Sequence, residues 1–429
     1  MRAVVLVLPK SGYRNDDFLA AAHKLGLSVI AASDVCHQLA EGWEEAPLAL
    51  RFRDAQAAAD ELAQQVAEQK PVAVLGVDDL TALVAALAAE KLGLPHNPPR
   101  AVAAARNKAQ SRAALRDAGL PAPRFEAVSR DLAGAELDAL LARAPYPCVV
   151  KPVVLSGSRG VIRADDAAGL RAAFQRVAAL LRSPEVAERR DPDLARILIE
   201  EFIPGPEVAL EGMLMRGHLH VLALFDKPDP LDGPYFEETL YVTPSRHPAP
   251  LQDAVARAVS DGCKALGLSE GPVHGELRLS PAGPRVLEIA ARSIGGLCGR
   301  ALRFGVGVTL EELILRHALG TTAEPPPRER RAAGVLMLPI RKRGVLEEVR
   351  GVEEARRVPL IEDVAITAHL REELVPLPEG ASYLGFAFAR GASPEQVEAA
   401  LRKAGAKIDA VVTPKLPLQP QGAPADPEK

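Results

Sequence analysis

The sequence predicts a soluble protein of several domains, α/β at its start and α+β further along. Three observations carry this reading. Apolar runs alternate with helical stretches over roughly the first hundred residues, as in a parallel α/β unit. The middle of the chain carries successive short apolar runs that read as paired strands. The chain has 429 residues, 48% of them hydrophobic, enough to bury the cores of about two to four domains.

Taken in order, AVVLVL is a buried strand, DDFLAAAHKLG a helix stopped at Gly26, and LSVIAAS a second strand. PVAVLGVDD is a third buried strand that ends in acids, and TALVAALAAEKLGL is a helix stopped at Gly93 and Pro95. These elements make residues 1–104 a parallel α/β domain, and no G-x-G-x-x-G follows its first strand, which argues against a dinucleotide site there. Over residues 97–119, Asn97 is a helix cap, Pro98 suits the first turn, and Gly119 closes the helix. PYPCVVKPVV and RILIEEFIPG read as strands flanking a helix near DAAGLRAAFQRVAALL. EVALEGMLM and HLHVLALFD read as paired strands, DAVARAVSDGCKALGL as a helix, and GPVHGELRLSPAGPRVLEIAARSIGG as a hairpin. EELILRHALG is a helix ending at Gly320, before the Pro-rich boundary AEPPPRERR. A mixed segment follows over residues 329–414, with VEEARRV and SPEQVEAALRKAG as helices, and the Pro-rich tail 415–429 reads as disordered.

Composition excludes several classes of function. A net charge of −4 provides no basic field for nucleic acid. No apolar stretch approaches the about eighteen residues that span a bilayer, and MRAVVLVLPKSG lacks the features of a signal peptide. Cys36, Cys148, Cys263 and Cys298 are too scattered for a thiolate metal cluster, so a reducing cytoplasm is the expected location.

Two stretches carry chemistry. KPVVLSGSRGV places Lys151 at a strand end and a Ser-Gly-Ser-Arg-Gly loop just after it. Exposed amides beside a lysine and an arginine suit a polyphosphate, although an ordinary turn with two solvated cations explains this stretch alone. In the hairpin, alternation puts His274, Glu276 and Arg278 on one face, and Glu288, Ala290 and Arg292 on one face. A turn symmetric about Ala282 would set Glu276 opposite Glu288 and His274 opposite Ala290, and a bulge at Gly283 would slip this register by one. Two carboxylates about 5 Å apart repel by roughly 3 kcal/mol at an effective dielectric near 20, and a divalent cation between them reverses the sign. Two solvated acids paired with Arg278 and Arg292 remain the plain alternative.

In this order and spacing, ARNKAQSRAALRDAGLPAP, VVKP, SGSRGV, IEEFIPGPEV, HGELRL and LEIAARSIGG resemble the ATP-grasp superfamily over roughly residues 1–410. The likeness is nearest to the carboxylate–amine ligases of the L-amino acid ligase type. It implies a parallel α/β domain, a central ATP-grasp domain over 105–328 with a mobile lid at about 148–208, and a small C-terminal domain. It also implies roles. Lys108 and Lys151 resemble the lysines that hold ATP phosphates, and Ser156, Gly157, Ser158, Arg159 and Gly160 the lid loop that closes over them. Glu200, Glu201, Phe202 and Ile203 resemble the adenine hinge, and Glu207 the acid that meets the ribose. Glu276 and Glu288 match the Mg²⁺ ligands, with Mn²⁺ as an alternative, and Arg292 matches the arginine facing the transferred phosphate. Where the family often carries Asn, this chain has Ala290, which removes one oxygen ligand and leaves room for His274 and water. His274 therefore joins Arg292 as a catalytic candidate. Glu237, Glu238, Ser293 and Gly295 are candidates for substrate contact, whereas Tyr383 and Phe386 read as core.

The resemblance implies an ATP-dependent ligase that phosphorylates a carboxylate and passes the acyl phosphate to an amine, giving an amide, ADP and phosphate. The expected partners are small-molecule carboxylate and amine substrates, with no nucleic acid and no membrane, and a homodimer is compatible with the likeness. The alternatives are a biotin-carboxylase-like carboxylase and a nucleotide-binding protein without activity.

Overall fold

The computed structural model describes residues 2–10, 12–34, 48–321 and 324–415. Cys36 and nearly all of the tail expected to be disordered lie outside the described residues.

The first sheet is wholly parallel, in the order Leu48–Ala49, Ser28–Ser33, Ala3–Leu8, Ala73–Gly76. Its central strand is covered on both faces, so Val4 to Leu8 are all fully buried and the sequence reads as an unbroken apolar run. The Ala73–Gly76 strand leads into the Asp79–Leu92 helix through a capping box between Asp78 and Thr81. Gly76 permits that tight turn, since a Cβ there would come within 2.2 Å of the Thr81 backbone.

Residues 97–119 form two helices, Pro99–Arg106 and Lys108–Asp117, where the sequence suggested one. Asn107 makes the break: its backbone is extended and its side chain accepts from the amides of Ala109 and Gln110. Asn97 does not cap, because its amide bonds the Glu270 carbonyl and the Ser269 and Glu270 amides. The consequence is functional, for Lys108 becomes the first residue of a new helix.

A four-stranded antiparallel sheet follows, ordered Phe125–Ser129, Arg196–Glu201, Cys148–Pro152, Ile162–Ala164. The Gly134–Arg143 and Ala167–Arg182 helices cover it through Leu137, Leu140, Phe174 and Val177. Next comes an eight-stranded sheet, ordered Gly283–Ala290, Gly271–Ser280, Glu207–Met215, His218–Lys227, Leu240–Thr243, Ala332–Leu338, Gly385–Gly391, Ile361–Ile366. The Leu240–Thr243 strand pairs with Ala332–Leu338, so one sheet runs across the Pro-rich segment. A three-stranded sheet, Glu373–Leu374, Gly344–Arg350, Asp409–Thr413, completes the C-terminal part.

The late hairpin reaches the anticipated pairing by another route. Its turn is tighter than a loop centred on Ala282, with Ser280 opposite Gly283 and Leu277 opposite Val286. A bulge at Leu287 then shifts the register, and Glu276 falls opposite Glu288 and His274 opposite Ala290. The bulge also switches faces. Val286 and Ile289 both enter the core under the Ala249–Leu266 helix, which strict alternation would forbid. Leu287 and Glu288 are thereby both turned to the opposite side.

Candidate active site

That side is a cavity of about 320 Å³ where all the sheets except the small C-terminal one meet. One end is an apolar slot walled by Val149, Phe202, Ile203, Leu231, Phe236 and Leu287. Arg163 stacks on Phe202 at 4.3 Å from the ring centre and stiffens that wall. At the rim of the slot the amides of Glu201 and Phe202 donate to the carbonyls of Arg124 and Pro147. The Ile203 amide has no protein partner among the described residues.

The middle of the cavity is ionic. Lys108 Nζ donates to the Leu155 carbonyl at 2.7 Å and lies 3.5 Å from Glu288. Lys151 pairs with Glu200, whose other oxygen accepts from Arg112 Nε at 2.9 Å. Burial drives the Lys151 ammonium below the ordinary lysine range in spite of Glu200. Ser156, Gly157 and Ser158 line the roof, with Gly157 and Ser158 both at positive φ.

Opposite lies a knot of acids around one lysine. Lys227 Nζ is 2.6 Å from Glu207, 3.5 Å from Glu276 and in contact with Glu238. Glu207, Glu238 and Glu276 each bring an oxygen within 4.8 Å of the others. Burial works against the Lys227 charge, but the acids outweigh it and hold the ammonium well above its ordinary range. Glu238 is pushed up to about 7 by burial and by Glu276. Burial would raise Glu276 too, yet Lys227, His274 and Arg292 keep it well below the usual carboxylate range. His274 Nδ1 faces Glu211 at 3.2 Å and Nε2 faces Glu276 at 3.4 Å, and the two acids overcome burial to lift its pKa to about 9.

At the far end Arg292 forks onto both oxygens of Asp79, at 3.0 and 3.1 Å, and also donates to the Ser293 carbonyl. Tyr13 and Arg14 from the first domain, Ile294 to Gly296, and Met337 and Tyr383 from the C-terminal part close this end.

The ATP-grasp domain family matches residues 144–301, and the L-amino acid ligase C-terminal domain 2 matches residues 336–413. The fold follows the crystal structure of an L-amino acid ligase from Bacillus licheniformis, with a TM-score of 0.81 and 28% identity over 96% of this chain and 99% of that one. The chain belongs to the ATP-grasp superfamily. Among curated relatives, carnosine synthase 1 of Gallus gallus is 28% identical over 84% of the chain. Alanine–anticapsin ligase of Bacillus subtilis strain 168 is 25% identical over 69% of it. The chain spans 41% and 65% of the lengths of these two proteins.

In this ATP-grasp chain most of the residues singled out from sequence meet in the cavity. Lys108, Lys151, Ser156, Gly157, Ser158, Glu200, Glu201, Phe202, Ile203 and Glu207 line it, as do His274, Glu276, Glu288, Arg292, Glu238 and Gly295. Six placements differ from expectation. Arg159 turns away from the cavity because Glu185 takes its fork at 2.8 and 2.9 Å and the Glu379 carbonyl takes its Nε. Gly160 packs behind the loop, where a Cβ would crowd Pro152 at 2.9 Å, and its amide is given to the Pro378 carbonyl. Glu237 lies outside the cavity wall, half-buried beyond Glu238. Ser293 is buried and offers its carbonyl to Arg14 and Arg292. Glu200 lines the cavity with both oxygens of its carboxylate already bonded, one to Lys151 and the other to Arg112, instead of standing open to an exocyclic amine. Tyr383, read as core, is a wall residue, while Phe386 is fully buried behind it.

Lys227, Asp79, Arg14 and Arg112 escaped the sequence reading. A signal existed for two of them. Asp79 is the second of the acids that end PVAVLGVDD. Lys227 sits opposite Glu207, but counting back from the Met215–His218 turn points to Asp226 instead, because a bulge between Val221 and Ala223 shifts the strand by one.

Proposed function

We propose that the chain is an ATP-dependent ligase that joins the carboxylate of an amino acid to an amine, releasing ADP and phosphate. The carrying observation is the single cavity that runs from an apolar slot, past paired lysines and facing acids, to an arginine–aspartate end closed by three parts of the chain. The names of an alanine–anticapsin ligase and a carnosine synthase among the relatives support the same reading.

In this reading the slot takes adenine. The Ile203 amide serves the ring, and a backbone carbonyl of the 200–203 segment replaces the committed Glu200 carboxylate. Lys108, Lys151 and the amides of residues 156–158 bind the phosphates, and Glu207 meets the ribose. Glu276 and Glu288 fit a divalent cation, since two hard oxygen donors face each other in register and nearby acids already hold a buried ammonium. Bound Mg²⁺ or Mn²⁺ would neutralise phosphate charge there. Ala290 withdraws the Asn oxygen from this reading, and His274 orients Glu276 instead of ligating the cation.

The Arg292 fork is oriented by Asp79 and presents its remaining edge to the acceptor carboxylate and the transferred phosphoryl group. Glu238, close to half-charged near neutral pH, offers a carboxylate to the substrate ammonium. Closure of the roof excludes water from the acyl phosphate until the amine arrives. A reducing cytoplasm suits the three buried free thiols Cys148, Cys263 and Cys298. Among the described residues no helix is long and apolar enough to cross a membrane.

The test is product analysis over pairs of amino acids with ATP and Mg²⁺. ADP, phosphate and an amide, each released only when carboxylate and amine are both present, is the expected result. AMP with pyrophosphate, or bicarbonate-dependent ADP release that needs no amine, would overturn the proposal.

A further inference from the structure

The proposed phosphate lysines and the proposed metal acids stand on different sheets. Lys151 belongs to the four-stranded sheet, Glu276 and Glu288 to the eight-stranded one, and no strand pairing joins the two. A fully buried side chain spans the gap. Arg112 lies one helical turn beyond Lys108, is fully buried, and is the largest fully buried side chain among the described residues. It does not line the cavity. Its Nε and Nη2 approach the two oxygens of Glu200 at 2.9 and 3.5 Å, and Nη2 donates to the Leu287 carbonyl at 2.5 Å. Glu200 in turn holds Lys151. Leu287 is the bulged residue that turns Glu288 into the cavity.

Charge balance alone does not explain Arg112, because Lys151 already neutralises Glu200. The chain even leaves Arg112 Nη1 buried without a hydrogen bond, a cost of roughly 1–3 kcal/mol. What only a guanidinium supplies is a rigid fork that meets a carboxylate on one sheet and a carbonyl on the other. We propose that Arg112 is a positioning residue that fixes Lys151 relative to Glu288 by bracing Glu200 and the Leu287 bulge at once. The proposal rests on the ATP and metal roles assigned above. It makes the alignment of phosphate lysine and metal acid depend on a residue that touches neither ligand.

The test is Arg112→Lys, which keeps the charge opposite Glu200 but cannot also reach Leu287. The readout is the Mg²⁺ concentration that half-saturates thermal stabilisation by ADP, which requires no turnover. We expect a rise of about tenfold, the usual scale for a lost partner behind a metal ligand, with a raised ATP KM. On a Glu288→Gln background the same change should add nothing further to the Mg²⁺ requirement, because the effect runs through Glu288. Should Arg112→Lys fail to fold, Arg112→Gln, whose amide can serve only one of the two partners, is read in the same way. An unchanged Mg²⁺ requirement in the folded variant, or a loss that adds in full to that of Glu288→Gln, overturns the role of Arg112 alone. Wild-type protein that Mg-ADP fails to stabilise overturns the nucleotide reading as well.

Discussion

The two walls of the cavity are built on different principles. The hairpin wall presents side chains from the edge strand of an eight-stranded sheet and its neighbour, with the Ala249–Leu266 helix packed behind. The facing roof, residues 156–158, presents backbone, and its shape is set by partners far away in sequence. Gly160 donates to the Pro378 carbonyl, Arg159 reaches the Glu379 carbonyl, and the Glu379 carboxylate pairs with Arg176 at 2.5 and 3.0 Å. The hairpin can move only by breaking its sheet. The roof is held by two hydrogen bonds to backbone carbonyls and by partly exposed ion pairs, each such pair worth about 1 kcal/mol or less. A ligase of the proposed kind needs both, a fixed frame for charge and a cover that opens for substrates.

The largest effect should come from the rigid wall. Glu288→Gln keeps the shape and removes the charge that faces Glu276. Stabilisation by Mg-ADP should fall sharply and need far more Mg²⁺, and turnover should drop by about a hundredfold or more, as expected when charge stabilisation of the transition state is lost. Mg-ADP stabilisation at full strength would remove Glu288 from the metal site and with it the contrast between the walls.

The roof should answer more mildly and in a different observable. Glu379→Gln removes the bidentate partner of Arg176 and loosens the roof while leaving every cavity side chain in place. Unfolding temperature should barely change, whereas ADP should exceed amide several-fold as water reaches the acyl phosphate. Tight one-to-one coupling of ADP to amide in this variant would show that the Pro378–Glu379 contacts do not govern closure.

The same contrast explains what was legible in the sequence. His274, Glu276 and Glu288 could be placed because strand alternation and a short turn fix their face from nearby residues alone, whereas Arg292 lies past the strand's end at Ala290 and alternation does not govern it. Even there the right pairing came through the wrong turn, since nothing local announces that Leu287 bulges. A second bulge hid Lys227 behind Asp226. In the roof, composition revealed a glycine-rich loop but not its anchors, because Arg159 was claimed by Glu185 and Glu379 across the fold. The parallel first sheet was readable from its unbroken apolar runs. The break at Asn107 was not, as Asn is unremarkable within a helix until its side chain is seen capping the next one.

The smallest effect tests the rigid wall without ligand. His274 is wedged between Glu211 and Glu276, which raise its pKa to about 9 against the opposing effect of burial. A histidine with a raised folded-state pKa contributes its stabilisation fully below its unfolded value, near 6.5, and loses it as pH climbs through the folded value. Burial raises the Glu211 carboxyl as well, so its contribution is likewise lost with rising pH, beginning at its unfolded value near 4.5. Both signs agree: the metal-free protein should lose a few degrees of unfolding temperature between about pH 7 and 9.5. His274→Gln keeps a donor toward one acid but carries no proton to lose, so the slope over this window should flatten. Equal slopes in the two proteins would mean that His274 is neutral in the folded chain, and that the charges holding Glu276 are those of Lys227 and Arg292.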